Sequence, residues 1–133
     1  LESCGLDFDS SLIAGHHFDE VSGYQAALHL LSTRPEITAL FAFSNQNALG
    51  ALRAASELGR AIPDDLSLIA FDDFPFAAYL AAPLTSVSQD VSQLGQVAAR
   101  LLLEQIRSSV PPQQKQYRIP VQLIRRSSIT KIG

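Results

Sequence analysis

The chain has 133 residues and a formal net charge of -3 at pH 7. Because 47% of its residues are hydrophobic and 17% are charged, most of the chain is not expected to be disordered. The acidic balance offers no basic surface for nucleic acid, so this chain by itself is not expected to bind DNA.

We do not expect a secretion signal or a membrane anchor within these residues. Cys4 is its single cysteine, so no internal disulfide is possible, and we expect a reducing compartment, the cytoplasm. No apolar run approaches the roughly 18 residues that a membrane span needs, and no signal-peptide pattern occurs. The chain begins at Leu1 and contains no methionine, so we expect a segment before it.

A strand and a helix are the first predicted elements. Residues 11–14, SLIA, are a short apolar run that predicts a strand. Asp19 or Ser22 then caps a helix that ends at Arg34, because a residue before proline disfavours the helical conformation. The apolar residues of this helix recur at helical spacing: Val21, Tyr24, Leu28 and Leu31.

The next two strands and the helix between them repeat this pattern. Residues 39–43, ALFAF, predict a second strand, and Ser44 begins a helix that reaches Leu58, with Gly59 in the C′ position. Residues 66–71, LSLIAF, predict a third strand. Both apolar runs are typical of strands that are covered on both faces of a parallel sheet.

The last third of the chain is predicted to contain shorter elements and one long helix. Residues 76–80 predict a helical turn, residues 85–87 a brief extended piece, and residues 91–106 a helix with one apolar face. Residues 108–116 predict a loop. Residues 117–123 alternate apolar and polar side chains around Pro120, which favours a half-exposed edge strand.

Polar residues follow each of the three predicted core strands. These residues are Gly15 to Phe18, Ser44 with Asn45, and Asp72 with Asp73. Alternating strands and helices imply right-handed crossovers and a parallel sheet, in which ligands bind beyond the carboxyl ends of the strands. The three clusters therefore share one edge of the sheet and predict a pocket floor for a small polar ligand.

An ordered set of segments extends over nearly the whole chain. The segments are ALFAFSNQNALG (39–50), ELG (57–59), IPDDLS (62–67), AFDD (70–73), PLTSV (83–87), LG (94–95) and LIRRS (123–127). In this order and spacing the chain resembles the C-terminal half of a LacI/GalR-family transcriptional regulator. The resemblance implies an α/β fold in which residues 1–133 form an incomplete C-terminal lobe of a type I periplasmic-binding-protein-like effector domain.

The same resemblance implies what the chain lacks. The DNA-binding helix-turn-helix, the hinge helix and most of the N-terminal lobe have no counterpart here, nor does the upstream arginine that often binds the ligand. The helix over residues 91–106 would belong to the other lobe, joined through the crossover near residues 85–87.

Three residues take ligand-binding roles by this resemblance. Phe18 matches the aromatic residue that stacks against the ligand ring, and Ser44 and Asp72 match positions whose polar side chains bond to effector hydroxyls or amides. The chain departs from the family pattern at three positions close in sequence to Ser44 or Asp72. They are Asn45, where aspartate is commonest, Asn47, where an apolar residue is usual, and Ala70, where glycine is usual.

Each of these residues also has a purely structural interpretation. Phe18 could pack as a staple on the helix that follows it, and Ser44 is a good helix N-cap whether or not it contacts a ligand. Asp72 could cap the turn over residues 74–76. Asp73 is the better candidate for a cap or for a contact between lobes.

Metal and catalytic sites are not expected. His16 and His17 are adjacent on an extended segment and point to opposite faces, so only one of them could face Asp72. No phosphate-binding glycine loop, nucleophile elbow or nucleophile and base pair is present, so we predict neither a cofactor nor an enzyme.

The helix that begins at Asn45 carries small or apolar residues around most of its circumference, so its outer face is expected to be covered. The apolar segment over residues 76–82 could extend that surface. By the resemblance this surface forms a two-fold dimer, and packing inside the parent monomer is the alternative. The predicted interface residues are Leu49, Arg53, Tyr79 and Leu80.

The sequence therefore predicts the effector-sensing and dimerisation portion of a sugar- or metabolite-responsive repressor or other transcriptional regulator. DNA would be contacted only through an N-terminal domain that this chain lacks. Two alternatives stay open: a solute-binding protein of a sugar ABC transporter, which shares the fold, and an interaction module without a ligand.

Overall fold

The computed structural model of the protein describes residue 5, residues 9–108 and residues 116–131. The helices in these ranges are α1 (Glu20–Thr33), α2 (Asn45–Glu57) and α3 (Val91–Arg107). The strands are β1 (Ala39–Ala42), β2 (Ser67–Phe71), β3 (Thr85–Gln89) and β4 (Val121–Ile124). Short 3-10 helices occupy Ser10–Leu12 and Ala77–Tyr79.

The four strands form one sheet in the order β1-β2-β3-β4. β1, β2 and β3 are parallel, and β4 is antiparallel to β3. α2 connects β1 to β2 and packs against both strands. The predicted α/β fold with a parallel sheet and flanking helices is confirmed, and β4 is an edge strand of the described sheet, as its alternating pattern and Pro120 predicted.

The strand predicted over residues 11–14 is wrong. Ser10–Leu12 forms a 3-10 helix, in which the Asp9 carboxylate accepts a hydrogen bond from the Ser11 amide at 2.9 Å. The Arg34 guanidinium at the end of α1 donates to the Ser11 hydroxyl at 3.0 Å. These local bonds satisfy the segment without a neighbouring strand, and Ile13 stays 55% exposed. Within the described residues, β1 is consequently the other edge of the sheet.

The helix boundaries follow the predicted caps. The Asp19 carboxylate accepts from the Ser22 amide at 2.8 Å, and the Ser44 hydroxyl accepts from the Asn47 amide at 3.1 Å. α2 ends at Glu57, and Gly59 has a φ of +66°, the left-handed conformation that glycine adopts without a Cβ penalty. Side-chain capping of orphan amides therefore explains where both helices begin.

α1 and α2 cross at two buried glycines. A Cβ atom on Gly50 would lie 2.2 Å from the Glu20 carbonyl oxygen and 2.3 Å from the Tyr24 amide nitrogen. A Cβ on Gly23 would lie 2.5 Å from the Asn47 Cα. The two backbones are therefore in direct contact, and only glycine at both positions permits this approach.

The main core lies between α2 and strands β1 and β2, with α1 on one side of it and the segment between β2 and β3 also contributing. It is built mostly from small side chains, which allow the elements to approach closely: Ala27, Ala42, Ala48, Ala51, Ala54, Leu68, Ala70, Phe74, Ala77 and Leu84. A buried apolar residue in such a core stabilises the fold through the area it removes from water.

The C-terminal segment after β4 is fixed to β2 and β3 by a buried serine. The Ser128 hydroxyl donates to the Leu68 carbonyl at 2.6 Å and accepts from the Thr85 amide at 2.8 Å. The Ser128 carbonyl also accepts from the Leu68 amide at 2.9 Å. Because Ser128 and Thr85 are fully buried, these bonds replace water that the polar groups have lost.

A partly buried ion pair joins the turn after β2 to the same segment. The Arg126 guanidinium bonds to both carboxylate oxygens of Asp73 at 2.8 and 2.9 Å, and the Ser86 hydroxyl donates to Asp73 at 2.7 Å. The bonds from Arg126 and Ser86 lower the pKa of the Asp73 carboxyl from 3.8 to about 2, against the opposing effect of partial burial. Asp73 is therefore a structural anchor in the described lobe.

α3 has an unpartnered apolar face. No residue of this helix is buried by the described part of the chain, and its exposed apolar residues include Leu94, Leu102, Leu103 and Ile106. This exposure fits the expectation that α3 packs in another lobe. Residues 109–115 of the predicted loop lie outside the described residues. No helix in the described ranges is long and apolar enough to cross a membrane.

Replacing Gly50 by alanine should strongly destabilise the fold. The added methyl group would overlap two backbone atoms that cannot rotate away, so we expect the free energy of unfolding to fall by about 3 kcal/mol or more. Gly59→Ala is the matched control: its Cβ would meet nothing within 4 Å, so only the backbone conformation opposes it, at about 1 kcal/mol. Urea denaturation measures both changes, and equal losses would contradict a close helix crossing.

Asp73→Asn should remove a pH-dependent part of the stability. Because the pKa of Asp73 is depressed on folding, its carboxylate stabilises the fold above its ordinary pKa, and this contribution is lost as the pH falls towards about 2. The stability difference between wild type and Asp73→Asn should therefore shrink by about 1 kcal/mol between pH 5 and pH 3. Arg126→Gln should behave likewise, and a difference that is constant with pH in urea denaturation would exclude this role.

Candidate functional site

The candidate site lies at the carboxyl ends of β1 and β2. The two strands are paired with Ala42 opposite Ala70, and Ser44 and Asp72 each follow two residues beyond that pair. Both strands therefore release a polar residue at the same edge of the sheet, as the crevice rule for parallel sheets predicted.

Ser44 is the N-cap of α2. Its hydroxyl oxygen accepts from the Asn47 amide, and its hydroxyl hydrogen is directed to Oδ1 of Asn47 at 2.9 Å. The residue is buried. A hydroxyl oxygen has two lone pairs, so the cap leaves one acceptor position for a further partner.

Asp72 has a left-handed backbone conformation, and one of its two carboxylate oxygens accepts a hydrogen bond. Its φ is +67°, a conformation that aspartate tolerates better than most side chains, and its amide donates to the Val87 carbonyl at 2.9 Å. Oδ1 of Asp72 accepts from the Gln89 side-chain amide at 2.7 Å. Oδ2 has no hydrogen-bond donor among the described residues. The alternative in which Asp72 caps residues 74–76 is not found, and the Phe74 amide bonds to Asp73 instead.

Phe18 lies in the irregular segment just before α1, and its side chain is 73% exposed. The Asn47 side-chain amide donates to the carbonyls of His17 and Asp19, both at 3.0 Å, and so fixes the backbone on either side of Phe18. The staple alternative lacks a partner, because the N4 position of α1 is Gly23, which has no side chain.

A cavity of about 460 Å³ lies between residues 12–18, α1 and β1. Most of its wall is apolar, including Phe18, Phe41 and Phe43, and its polar groups include Asn47. Ser44 and Asp72 do not line this cavity. The described residues thus bring Phe18 to the start of α2, while Ser44 and Asp72 mark the neighbouring strand ends.

The four predicted interface residues have different surroundings. The Arg53 guanidinium stacks 4.3 Å from the centre of the Tyr24 ring and lies 3.4 Å from the Glu20 carboxylate, so it packs on α1 within the chain. Leu49 and Leu80 are partly buried against the core. Tyr79 is 86% exposed. Part of the covered face of α2 is therefore explained by α1.

Three polar side chains at this edge were not identified from the sequence. Gln89 holds the Asp72 carboxylate, Arg126 holds Asp73, and Asn47 bonds to the segment around Phe18. The signals in the sequence were a polar residue at the end of β3 and an amide where the family resemblance implies an apolar side chain. Across the described ranges, no group of three His, Cys, Asp or Glu residues could hold a metal ion.

Comparison with known proteins identifies relatives of this chain. Residues 1–129 match the sequence profile of a family described as "Periplasmic binding protein-like domain". The ribose operon repressor of Halalkalibacterium halodurans is 41% identical over 120 residues, which are 90% of this chain and 35% of that protein. The chain therefore spans about a third of the length of this relative.

Solved structures show the same fold. The CelR–cellobiose complex, described as a transcriptional regulator, has a TM-score of 0.88 and 31% identity, and the match covers 96% of this chain and 38% of that one. A LacI family transcriptional regulator from Enterococcus faecalis V583 with bound ribose has a TM-score of 0.78 and 38% identity, over 88% and 43% of the two chains.

These relatives are named as transcriptional regulators or a repressor, and none of them is named as an enzyme or as a transporter component. The resemblance that the motifs from ALFAFSNQNALG to LIRRS carried is confirmed. The chain belongs to the periplasmic-binding-protein-like domain family, in the form that LacI-family transcriptional regulators contain.

Proposed function

We propose that this chain is the C-terminal part of the effector-sensing domain of a sugar-responsive, DNA-binding transcriptional regulator. The observation that carries the proposal is the position of Asp72, whose carboxylate stands at the carboxyl end of β2 with Oδ2 unbonded in the described lobe. Ser44 lies two residues after the last residue of the neighbouring strand, β1. The regulator acts in the cytoplasm, contacts DNA through a domain outside this chain, and catalyses no reaction.

A carboxylate with one free oxygen suits recognition of sugar hydroxyl groups. Gln89 occupies Oδ1 of Asp72, which orients the carboxylate and leaves Oδ2 to accept from a ligand. A hydrogen bond to a charged group contributes about 1.5 to 3 kcal/mol, and a ligand without the matching hydroxyl would leave the charge unpaired. Asp72 would therefore contribute both affinity and selectivity.

Phe18 would supply the apolar contact in the same site. A sugar ring has a face of C–H groups, and an exposed aromatic ring held beside the strand ends offers a flat partner for it. Aromatic contacts of this kind add about 0.5 to 1.5 kcal/mol beyond the area they bury. Phe18 thus contributes less than Asp72 and favours ring-shaped ligands.

The ligand class is supported by the relatives. A ribose operon repressor, a ribose-bound regulator and a cellobiose-bound regulator are each at least 31% identical to this chain. D-ribose and cellobiose are therefore the first ligands to test. The alternative of a transporter's solute-binding protein has no support among these named relatives.

The bonds of Asp72 suggest how ligand binding would be transmitted. Its amide bonds to Val87 and its carboxylate to Gln89, both on β3, and β3 leads directly into α3. A ligand held by Asp72 on one side and by a second lobe on the other would fix the angle between the two lobes. Such coupling requires different ligand affinities for the two arrangements.

Asp72→Asn in the full-length regulator should weaken sugar binding at least tenfold. The change keeps a side chain that tolerates the positive φ and still accepts from Gln89, but it removes the negative charge. Asp64→Asn, at an exposed position before β2, is the matched control and should bind as the wild type does. Titration calorimetry with D-ribose and cellobiose measures the affinities, and unchanged binding by Asp72→Asn would rule out the site.

Tyr79→Ser should weaken a regulator dimer at least tenfold, because an exposed tyrosine at an interface commonly contributes about 2 kcal/mol. Tyr79 tests the predicted interface most directly. Substituting Leu49 or Leu80 would also disturb the core, and substituting Arg53 would disturb its packing on α1. Tyr117→Ser, before β4, is the matched control. Sedimentation equilibrium measures the dissociation constant, and equal values for the two variants would place the interface elsewhere.

A further inference from the structure

Asn47 holds the segment that carries Phe18, and we infer that it is a positioning residue for ligand binding at Phe18. The inference rests on the proposed function, in which Phe18 contacts the sugar. Its physical basis is a double hydrogen bond: Nδ2 of Asn47 donates to the carbonyls of His17 and Asp19, both at 3.0 Å. These two residues are the immediate neighbours of Phe18.

The segment around Phe18 has little other support. Residues 16–19 form bends rather than a helix or strand, and His16, His17 and Phe18 are exposed. Asp19 is also held by the first turn of α1, where the Gly23 amide donates to its carbonyl at 3.1 Å. Among the described residues, the His17 carbonyl accepts a hydrogen bond from Asn47 alone. Without Asn47 the backbone before Phe18 would be free to move.

Asn47 is itself held firmly. Oδ1 of Asn47 accepts from the Ser44 hydroxyl at 2.9 Å, and the backbone amide of Asn47 donates to the same hydroxyl oxygen at 3.1 Å. The side chain has one orientation, because the two carbonyls accept and therefore require its NH₂ group. The backbone of Asn47 is fixed too, because it packs directly against Gly23: a Cβ atom on Gly23 would lie 2.5 Å from the Asn47 Cα.

Asn47 thus couples the two predicted contact residues, Phe18 and Ser44, through one amide. An apolar side chain, which the family resemblance implies at this position, would form no hydrogen bond to the carbonyls beside Phe18 or to the Ser44 hydroxyl. This set of side-chain hydrogen bonds from Asn47 is accordingly a feature of this chain's own sequence. These bonds would fix the position of the Phe18 ring before the sugar binds, and a preorganised ring loses less conformational freedom on binding.

The inference is tested in the full-length regulator by titration calorimetry with D-ribose and cellobiose. Asn47→Leu keeps the size and the backbone bond to Ser44 but removes the three side-chain hydrogen bonds of Asn47, so it should weaken binding about tenfold through lost preorganisation. Gln46→Leu, the same change one position earlier on an exposed face of α2, is the matched control and should bind within about twofold of the wild type.

Asn47→Asp separates positioning from helix stability. Aspartate keeps an acceptor for the Ser44 hydroxyl and suits the first turn of a helix, which offsets part of the stability lost with the two hydrogen bonds, so the thermal midpoint should fall less than in Asn47→Leu. It replaces both donors with an oxygen that repels the two carbonyls, so sugar binding should still weaken about tenfold. Wild-type affinity in Asn47→Asp overturns the inference.

A double-mutant cycle with Phe18→Ala shows whether Asn47 acts through Phe18. If it does, adding Asn47→Asp to Phe18→Ala should cause no further loss, because the ring that Asn47 positions is gone. Additive losses overturn the inference, and so does a Phe18→Ala variant that binds as the wild type does.

Asp72→Asn distinguishes the two levels of the argument. If Asp72→Asn weakens binding while the Asn47 variants do not, the proposed function stands and the positioning role is overturned. If neither sugar binds the wild type, or Asp72→Asn binds normally, the proposed sugar site fails, and the inference about Asn47 fails with it.

Discussion

The close crossing of α1 and α2 is the contact on which the rest of the described site depends. Because Gly23 and Gly50 carry no Cβ, the start of α1 lies directly against the first turns of α2. That approach brings the segment before α1 to the carboxyl end of β1, where α2 begins. A larger residue at either glycine would separate the helices and move Phe18 away from Ser44. The site is thus positioned by backbone contact between helices that enclose a core of small side chains.

Elements with strong local signals were predictable from the sequence. Asp19 and Ser44 cap their helices because a short polar side chain satisfies orphan amides wherever the chain enters a helix, and Gly59 ends α2 for the corresponding conformational reason. Residues 11–14 were not predictable in this way. Apolar content alone suggested a strand, but a strand also needs a neighbour, and the bonds from Asp9 and Arg34 favour a 3-10 turn instead.

Asp72 and Asp73 show why the chemistry of the site was only partly predictable. The two residues are identical and adjacent, yet their carboxylates bond to different partners. Asp73 meets Arg126, 53 residues later in the chain, and becomes a structural ion pair with a depressed pKa. Asp72 meets the uncharged Gln89, and its second carboxylate oxygen has no hydrogen-bond donor among the described residues. These partners come together only through the tertiary fold, so residue types and spacing could identify the cluster but could not assign the two roles.

An effector site in this lobe requires a second surface, for a physical reason. In the described lobe Asp72 is partly exposed and Phe18 is exposed, so water competes there for any hydrogen bond to a ligand, and a net bond to a neutral group contributes only about 1 kcal/mol. Enclosure by another lobe would exclude that water and strengthen each contact. The exposed apolar face of α3 would suit such an attachment, since burying this face in a second lobe would tie that lobe to β3. β3 also holds both the amide and the carboxylate of Asp72, so the proposed ligand-binding residue is bonded directly to the strand that leads into α3.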